Sequence, residues 1–171
     1  MKKLVLFLAC GLMIGNIAFA QTGNLKIGFI NSAVILQSMP EKIQADSTLA
    51  KYARSFQEQI DIMMKDYQSK GQHYQASEKT MTDAMKEVKM KEIQDLQNRI
   101  ETTQQSAQEK IQQKKNDVYA PVLEKAEKAI KAVSKEKNFD FVFDQAAGGA
   151  MVFGKDEFDI TPMVKAKLGI K

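Results

Sequence analysis

From Glu41 to about Lys137 the chain carries one proline, Pro121, and one glycine, Gly71, in a sequence rich in Ala, Glu, Gln and Lys. So long a stretch without turn residues reads as helix on propensity alone, and that leaves few folds open. Its start is marked by Ser38-Met39-Pro40-Glu41, which has the S-x-x-E spacing of a capping box and a proline in the first turn, where a missing N–H costs nothing. The spacing predicts a helix that begins close to Met39.

Apolar positions recur in steps of three and four at Leu49, Ala53, Phe56, Ile60, Met63 and Tyr67, and again at Ile93, Leu96, Ile100, Thr103, Ala107 and Ile111. That is the period of a seam between helices. Paired in reverse, residue numbers 49 and 111, 53 and 107, 60 and 100, and 67 and 93 each sum to 160, while 56 with 103 and 63 with 96 give 159. A constant sum means an antiparallel hairpin turning near residue 80. The polar run SEKTMTD, 77–83, forms the tip, and Thr80 or Thr82 can cap the return helix. Pro40 and Pro121 sum to 161, within one of the same value, and mark the base. An arm of roughly 38 residues reaches about 57 Å at 1.5 Å per residue. Lys70 takes a seam position and Gly71 follows it, so the seam is sparing and the arm is expected to be pliant.

The remaining segments make a small body. LKIGFI, 25–30, is a strand with apolar residues on both faces, followed by a short helical turn, AVILQS. Past Pro121, Val122, Ala126, Ile130 and Val133 form one apolar side of a helix. FDFVFDQAAGGAMVF, 139–153, alternates around Ala-Ala-Gly-Gly in the manner of a β-hairpin. In DITPMVKAKL, Thr161 is the expected N-cap and Pro162 the first helical residue of a short terminal helix. Because the arms return to their own base, the partner of the late hairpin is LKIGFI. A three-stranded sheet carrying Ile27, Phe29, Ile30, Phe141, Val142, Phe143 and Phe153 is too small to cover itself, and is expected to be the surface through which copies assemble.

Residues 1–20 have Lys2 and Lys3, an apolar run and then Ala18-Phe19-Ala20, the pattern of a cleaved secretory signal. A lipoprotein reading through Cys10 is weaker, since it leaves a greasy segment at the new N-terminus. Cleavage after Ala20 leaves 151 of the 171 residues and removes the chain's one cysteine, so no disulfide or thiolate metal site remains. Losing Lys2 and Lys3 lowers the formal charge from +4 to +2, which argues against a nucleic-acid partner. The domains expected are thus a signal at 1–20, a body from 21–40 and 119–171, and a helical arm at 41–118.

Nothing points to an enzyme, a metal or a cofactor. His73 has no second ligand at useful spacing, Ala147-Gly148-Gly149 reads as a turn and not a phosphate loop, and Asp144, Asp156, Glu157 and Asp159 are explained by capping and turns. Methionine is the more informative residue. Five of ten, Met63, Met64, Met81, Met85 and Met90, fall in the distal half of the hairpin beside Tyr67 and Tyr74. Met63 and Met85 are expected to fill the seam, whereas Met64 and Met90 fall off it. Flexible, polarizable side chains on an open face suit a surface that accepts many partners, so all seven are candidate binding residues.

In order and spacing, KIGFIN, AVILQSMP, the long hairpin, APVLEKAEKAIKAV, FDFVFD and DITPMVKAKL resemble the Skp/OmpH family of periplasmic chaperones for outer-membrane proteins across the whole chain after the signal. The resemblance implies an α+β fold in which helical tentacles hang from small sheets joined as a homotrimeric, β-barrel-like core. It also implies a periplasmic holdase that works without ATP on unfolded outer-membrane β-barrel proteins, with the outer-membrane assembly machinery as a further partner. Members of the family can have strongly basic arms. Here residues 61–92 hold six lysines against six acids, which weakens long-range electrostatic capture. The alternative reading is a structural coiled-coil spacer of the envelope. The distal methionines and the sparing seam favour the chaperone, since a spacer needs a continuous seam.

Overall fold

The structure is a computed structural model that describes residues 25–148 and 151–170. The expected signal at 1–20 lies outside the described residues.

Asn31 begins the helical part of the chain: its side chain accepts a hydrogen bond from the Val34 N–H at 3.1 Å and caps α1, Ser32–Ser38. Met39 leaves the helical region, at φ −80° and ψ 124°, as expected of a residue that precedes proline, and Pro40 opens α2, Pro40–Ser77. The helix starts where the sequence predicts, but without the capping box. The Ser38 hydroxyl is used inside α1, donating to the Val34 carbonyl at 2.9 Å, and Met39 supplies no side-chain cap. A 3-10 turn at Glu78–Thr80 forms the tip, and Thr82 caps α3, Asp83–Glu136, by accepting from the Met85 N–H at 3.3 Å.

From Lys86 to Val133, one stripe of α3 at steps of three and four is buried or half-buried throughout. Lys86, Lys89 and Lys114 hold places on it, their aliphatic stems covering the seam. Pro121 sits on the exposed side of α3. It deletes one helical hydrogen bond where solvent can reach the freed carbonyl, and the helix continues, so the same element serves arm and body. At the base, Tyr119 donates its hydroxyl to Asp46, Lys42 lies 2.7 Å from the same carboxylate, and Lys125 pairs with Glu41.

α3 ends in a left-handed residue, Asn138 at φ 53°, with the paired bonds Asn138 N–H to Lys135 O at 3.1 Å and Phe139 N–H to Ser134 O at 2.9 Å. This reversal delivers β2, Phe141–Asp144, alongside β1, Ile27–Ile30, and the strands are parallel with Ile27 opposite Phe141 and Ile30 opposite Asp144. The other edge of β1 is met by Asp159 in a single parallel bridge, with the Ile160 N–H donating to the Phe29 carbonyl at 2.9 Å. LKIGFI is therefore the partner of the FDFVFD strand, but the hairpin expected over 139–153 is not formed among the described residues. Residues 145–148 are a turn and 151–155 are not strand. Among the described residues both edges of β1 are taken, β2 has no strand on its outer edge, and Phe153 stands 81% exposed.

α4, Thr161–Leu168, closes the body with Ile160 and not Thr161 at the cap position. The Thr161 hydroxyl is committed elsewhere, accepting from the Asn31 N–H at 2.9 Å, and the Asp159 carboxylate caps in its place, 2.8 Å from the Thr161 N–H. Ile35, Met39, Ile160 and Val164 are fully buried where α1, α3 and α4 meet the inner face of the sheet.

Asp144 ties strand to helix by accepting from the backbone N–H groups of Ser32 at 3.1 Å and Ala146 at 3.0 Å. Partial burial pushes its carboxyl up, but the hydrogen bonds from Ser32 and Ala146 together outweigh that and hold it below its ordinary range. A lowered folded-state pKa adds stability that is present above the unfolded-state value and is lost as pH falls through the folded one. Asp144→Asn is therefore expected to melt at a lower temperature than the parent at neutral pH, and the gap should close below about pH 4, the ordinary carboxylate range. Thermal melts across that window check it.

Candidate functional site

Among the described residues, the flanks of the arm and the outer face of the sheet each gather several apolar side chains that the chain does not cover.

The seam leaves shallow grooves on both sides of the hairpin. One, of about 390 Å³, has Phe56 on its floor and Gln59, Arg99 and Lys110 around it, with the Lys110 ammonium 5.9 Å from the centre of the Phe56 ring. The other, of about 300 Å³, is bordered by Gln57, Gln104 and Gln108. Carried outward at about 100° per residue, the helical repeat puts Met64 and Met90 on the glutamine side and Ile62, Met85 and Val88 on the arginine side. All five are exposed.

Of the seven candidate binding residues, Met63, Tyr67 and Tyr74 are half-buried along the seam, Met81 is half-buried in the turn at the tip, and Met64, Met85 and Met90 are exposed off the seam. Met85, expected in the seam, is 53% exposed, because Lys86 and Lys89 hold the inward positions of that turn. Ile62 and Val88 were not singled out by the sequence reading. Their signal was available: each is a lone aliphatic residue off the seam on an otherwise polar flank. The three ion pairs of the distal arm, Lys70–Asp66, Lys86–Asp83 and Lys89–Glu92, each lie within one helix. Among the described residues, ion pairs do not tie the two helices of the arm together beyond its base.

In the body, the register sorts the seven expected assembly residues by face. Ile30 and Val142 turn inward and pack in the chain's own core, beside Gly28, where a Cβ would come within 2.8 Å of the Phe139 ring. Ile27, Phe141 and Phe143 turn outward and are exposed, Phe141 by 55%. Phe29 shares the outer face but is covered by the strap at residues 151–154; a Cβ on Gly154 would meet Met151 and the Phe29 ring at under 3 Å. Leu25, Phe143, Phe153 and Phe158 line an open apolar groove of about 370 Å³ over this face. The sheet expected to be apolar on both faces and too small to cover itself thus has one face covered, by α1, α3 and α4, and one open.

Lys42, then Tyr119, hold the Asp46 carboxyl below its usual range, and Asp46 in turn raises the Tyr119 hydroxyl. His73 is exposed on α2, and among the described residues no group of His, Cys, Asp and Glu is arranged to hold a metal ion. Among them, too, no helix is long and apolar enough to cross a membrane.

The architecture matches known proteins. A crystal structure of an OmpH-like outer membrane chaperone from Caulobacter crescentus CB15 superposes with a TM-score of 0.75 at 15% identity, covering 84% of this chain and 83% of that one. The chaperone protein Skp of Pectobacterium atrosepticum is 24% identical over 166 residues, 96% of this chain and all of that one. Residues 26–168 match the family described as outer membrane protein (OmpH-like), which takes in both arms of the hairpin, β1, β2 and all of α4. The chain therefore belongs to the OmpH-like, or Skp/OmpH, family.

Proposed function

We propose that this protein is a periplasmic holdase chaperone that keeps unfolded outer-membrane β-barrel proteins from aggregating, without nucleotide, by holding them against the flanks of its helical arms. The observation that carries the proposal is the set of exposed apolar side chains on the two flanks of the distal arm, Ile62, Met85 and Val88 on one and Met64 and Met90 on the other. A spacer arm has no use for them. Unfolded barrel strands expose alternating apolar residues, and burial against mobile methionines gains roughly 25 cal/mol per Å² without a matched shape. Copies assemble, as a homotrimer in this reading, through the outer face of the sheet, and the assembly machinery of the outer membrane is the onward partner.

Changing Met64, Tyr74 and Met90 together to Ser is expected to leave assembly intact and weaken suppression of aggregation of an unfolded outer-membrane protein, read by light scattering. Salt dependence should be modest, because the six positive and six negative charges of residues 61–92 cancel. If the triple variant protects as well as the parent while lysine substitutions abolish protection, capture is electrostatic and this proposal fails. For location, the protein is expected free in the periplasm with Gln21 at its N-terminus; fractionation and N-terminal sequencing check that, and lipidated Cys10 in membranes would contradict it.

A further inference from the structure

Met64, Met85 and Met90 hold their thioethers out in solvent on the arm, while Met39 in the body is 0% exposed. Once residues 1–20 are removed the chain has no cysteine, so its sulfur is all thioether, and these three, with Met163 on α4, are the exposed ones in a compartment open to oxidants. Hydrogen peroxide transfers one oxygen to such a sulfur: the sulfur is oxidised by two electrons, the peroxide leaves as water, and no protein group has to assist. The product sulfoxide is polar where the thioether was apolar. None of the three residues belongs to the inward stripe, so the change alters what the arm offers to a partner and leaves the seam alone.

We propose that Met64, Met85 and Met90 form a reversible oxidation site, at which peroxide-class oxidants turn the client-holding flanks of the arm polar and lower their hold on unfolded chains. This inference rests on the holdase proposal above. Burial grades the response: the half-buried Met63 and Met81 should follow more slowly and Met39 last. Met163 on α4 is 41% exposed but belongs to the body, which makes it a control for oxidation away from the arms.

The test treats the full chain without its signal with hydrogen peroxide, maps the modified peptides by mass spectrometry, and then measures protection of an unfolded outer-membrane protein. Residues 64, 85 and 90 are expected to gain one oxygen each before Met39 does, and protection should fall roughly fivefold as three apolar contacts become polar. Helicity and assembly mass should not change. A methionine sulfoxide reductase with a thiol reductant should restore protection. In the combined variant Met64→Leu, Met85→Leu, Met90→Leu, measured against its own untreated level, peroxide should cause no such fall, whereas Met163→Leu should lose protection as the parent does. Full conversion of all three sites with undiminished protection overturns the inference, as does equal loss in the leucine variant, or Met39 reacting as fast as the arm residues. An untreated parent that fails to protect the client overturns the holdase proposal itself, a result distinct from these.

Discussion

The double variant Phe141→Asp, Phe143→Asp is expected to be a folded protein that no longer assembles. Both rings stand on the outer face of the sheet, away from the helices of their own chain, so the charges meet solvent in a single chain and cost it little. In an assembly closed over that face the same carboxylates lose their water without a partner, at several kcal/mol each. A paired control sharpens the result. Val142→Asp changes the neighbouring residue on the same strand, but its side chain turns into the body's core, so it should unfold the body before any question of assembly arises. Light scattering and circular dichroism separate the two outcomes. A Phe141→Asp, Phe143→Asp protein that keeps the parent's mass would place the assembly surface elsewhere.

The converse variant removes the arm. Ile60 and Ile100 share a level of the hairpin by the residue arithmetic, so a short Gly-Ser linker between them can replace residues 61–99 and still close the turn. Everything that builds the body remains, including the ties Tyr119 to Asp46 and Lys125 to Glu41. This variant is expected to assemble as the parent does and to lose nearly all protection of an unfolded outer-membrane protein, because every exposed methionine of the arm has gone with the excised segment. A monomeric product would show that the arms make the assembly. Retained protection would move the binding surface to the body.

The hairpin was legible in the sequence because a seam of two antiparallel helices leaves a numerical trace, a constant sum of residue numbers, that neither helix carries alone. The tip, the cap at Thr82 and the break at Met39-Pro40 follow from local chemistry and appear where that chemistry puts them. The hairpin expected over 139–153 failed for a different reason. Alternation in FDFVFD records that a strand has two unlike faces, but it is silent on which edge pairs with what, and β1 arrives from more than a hundred residues away to take β2 in parallel. Asn138 was a readable signal that was missed: a residue tolerant of the left-handed region at the end of a long helix marks where the chain turns back, and that turn sets the parallel direction of β2. Met85 shows the limit of reading seams by apolarity, since lysine stems at 86 and 89 fill inward places and leave the methionine outside.

α3 passes from the tip to the body without a joint, Pro121 included. Mechanically it is a lever clamped at one end. The span from Val122 back to Asp83 is 39 steps, about 58 Å at 1.5 Å per residue, so a tilt of roughly 5° at the clamp sweeps the tip through about 5 Å. The clamp is a row of short buried side chains, Val122, Ala126, Ala129 and Val133, packed in the core of the body. The reach of the arm is therefore governed far from where a partner would touch it, and exchanging Ala126 or Ala129 for a bulkier residue would reset the angle of the whole arm.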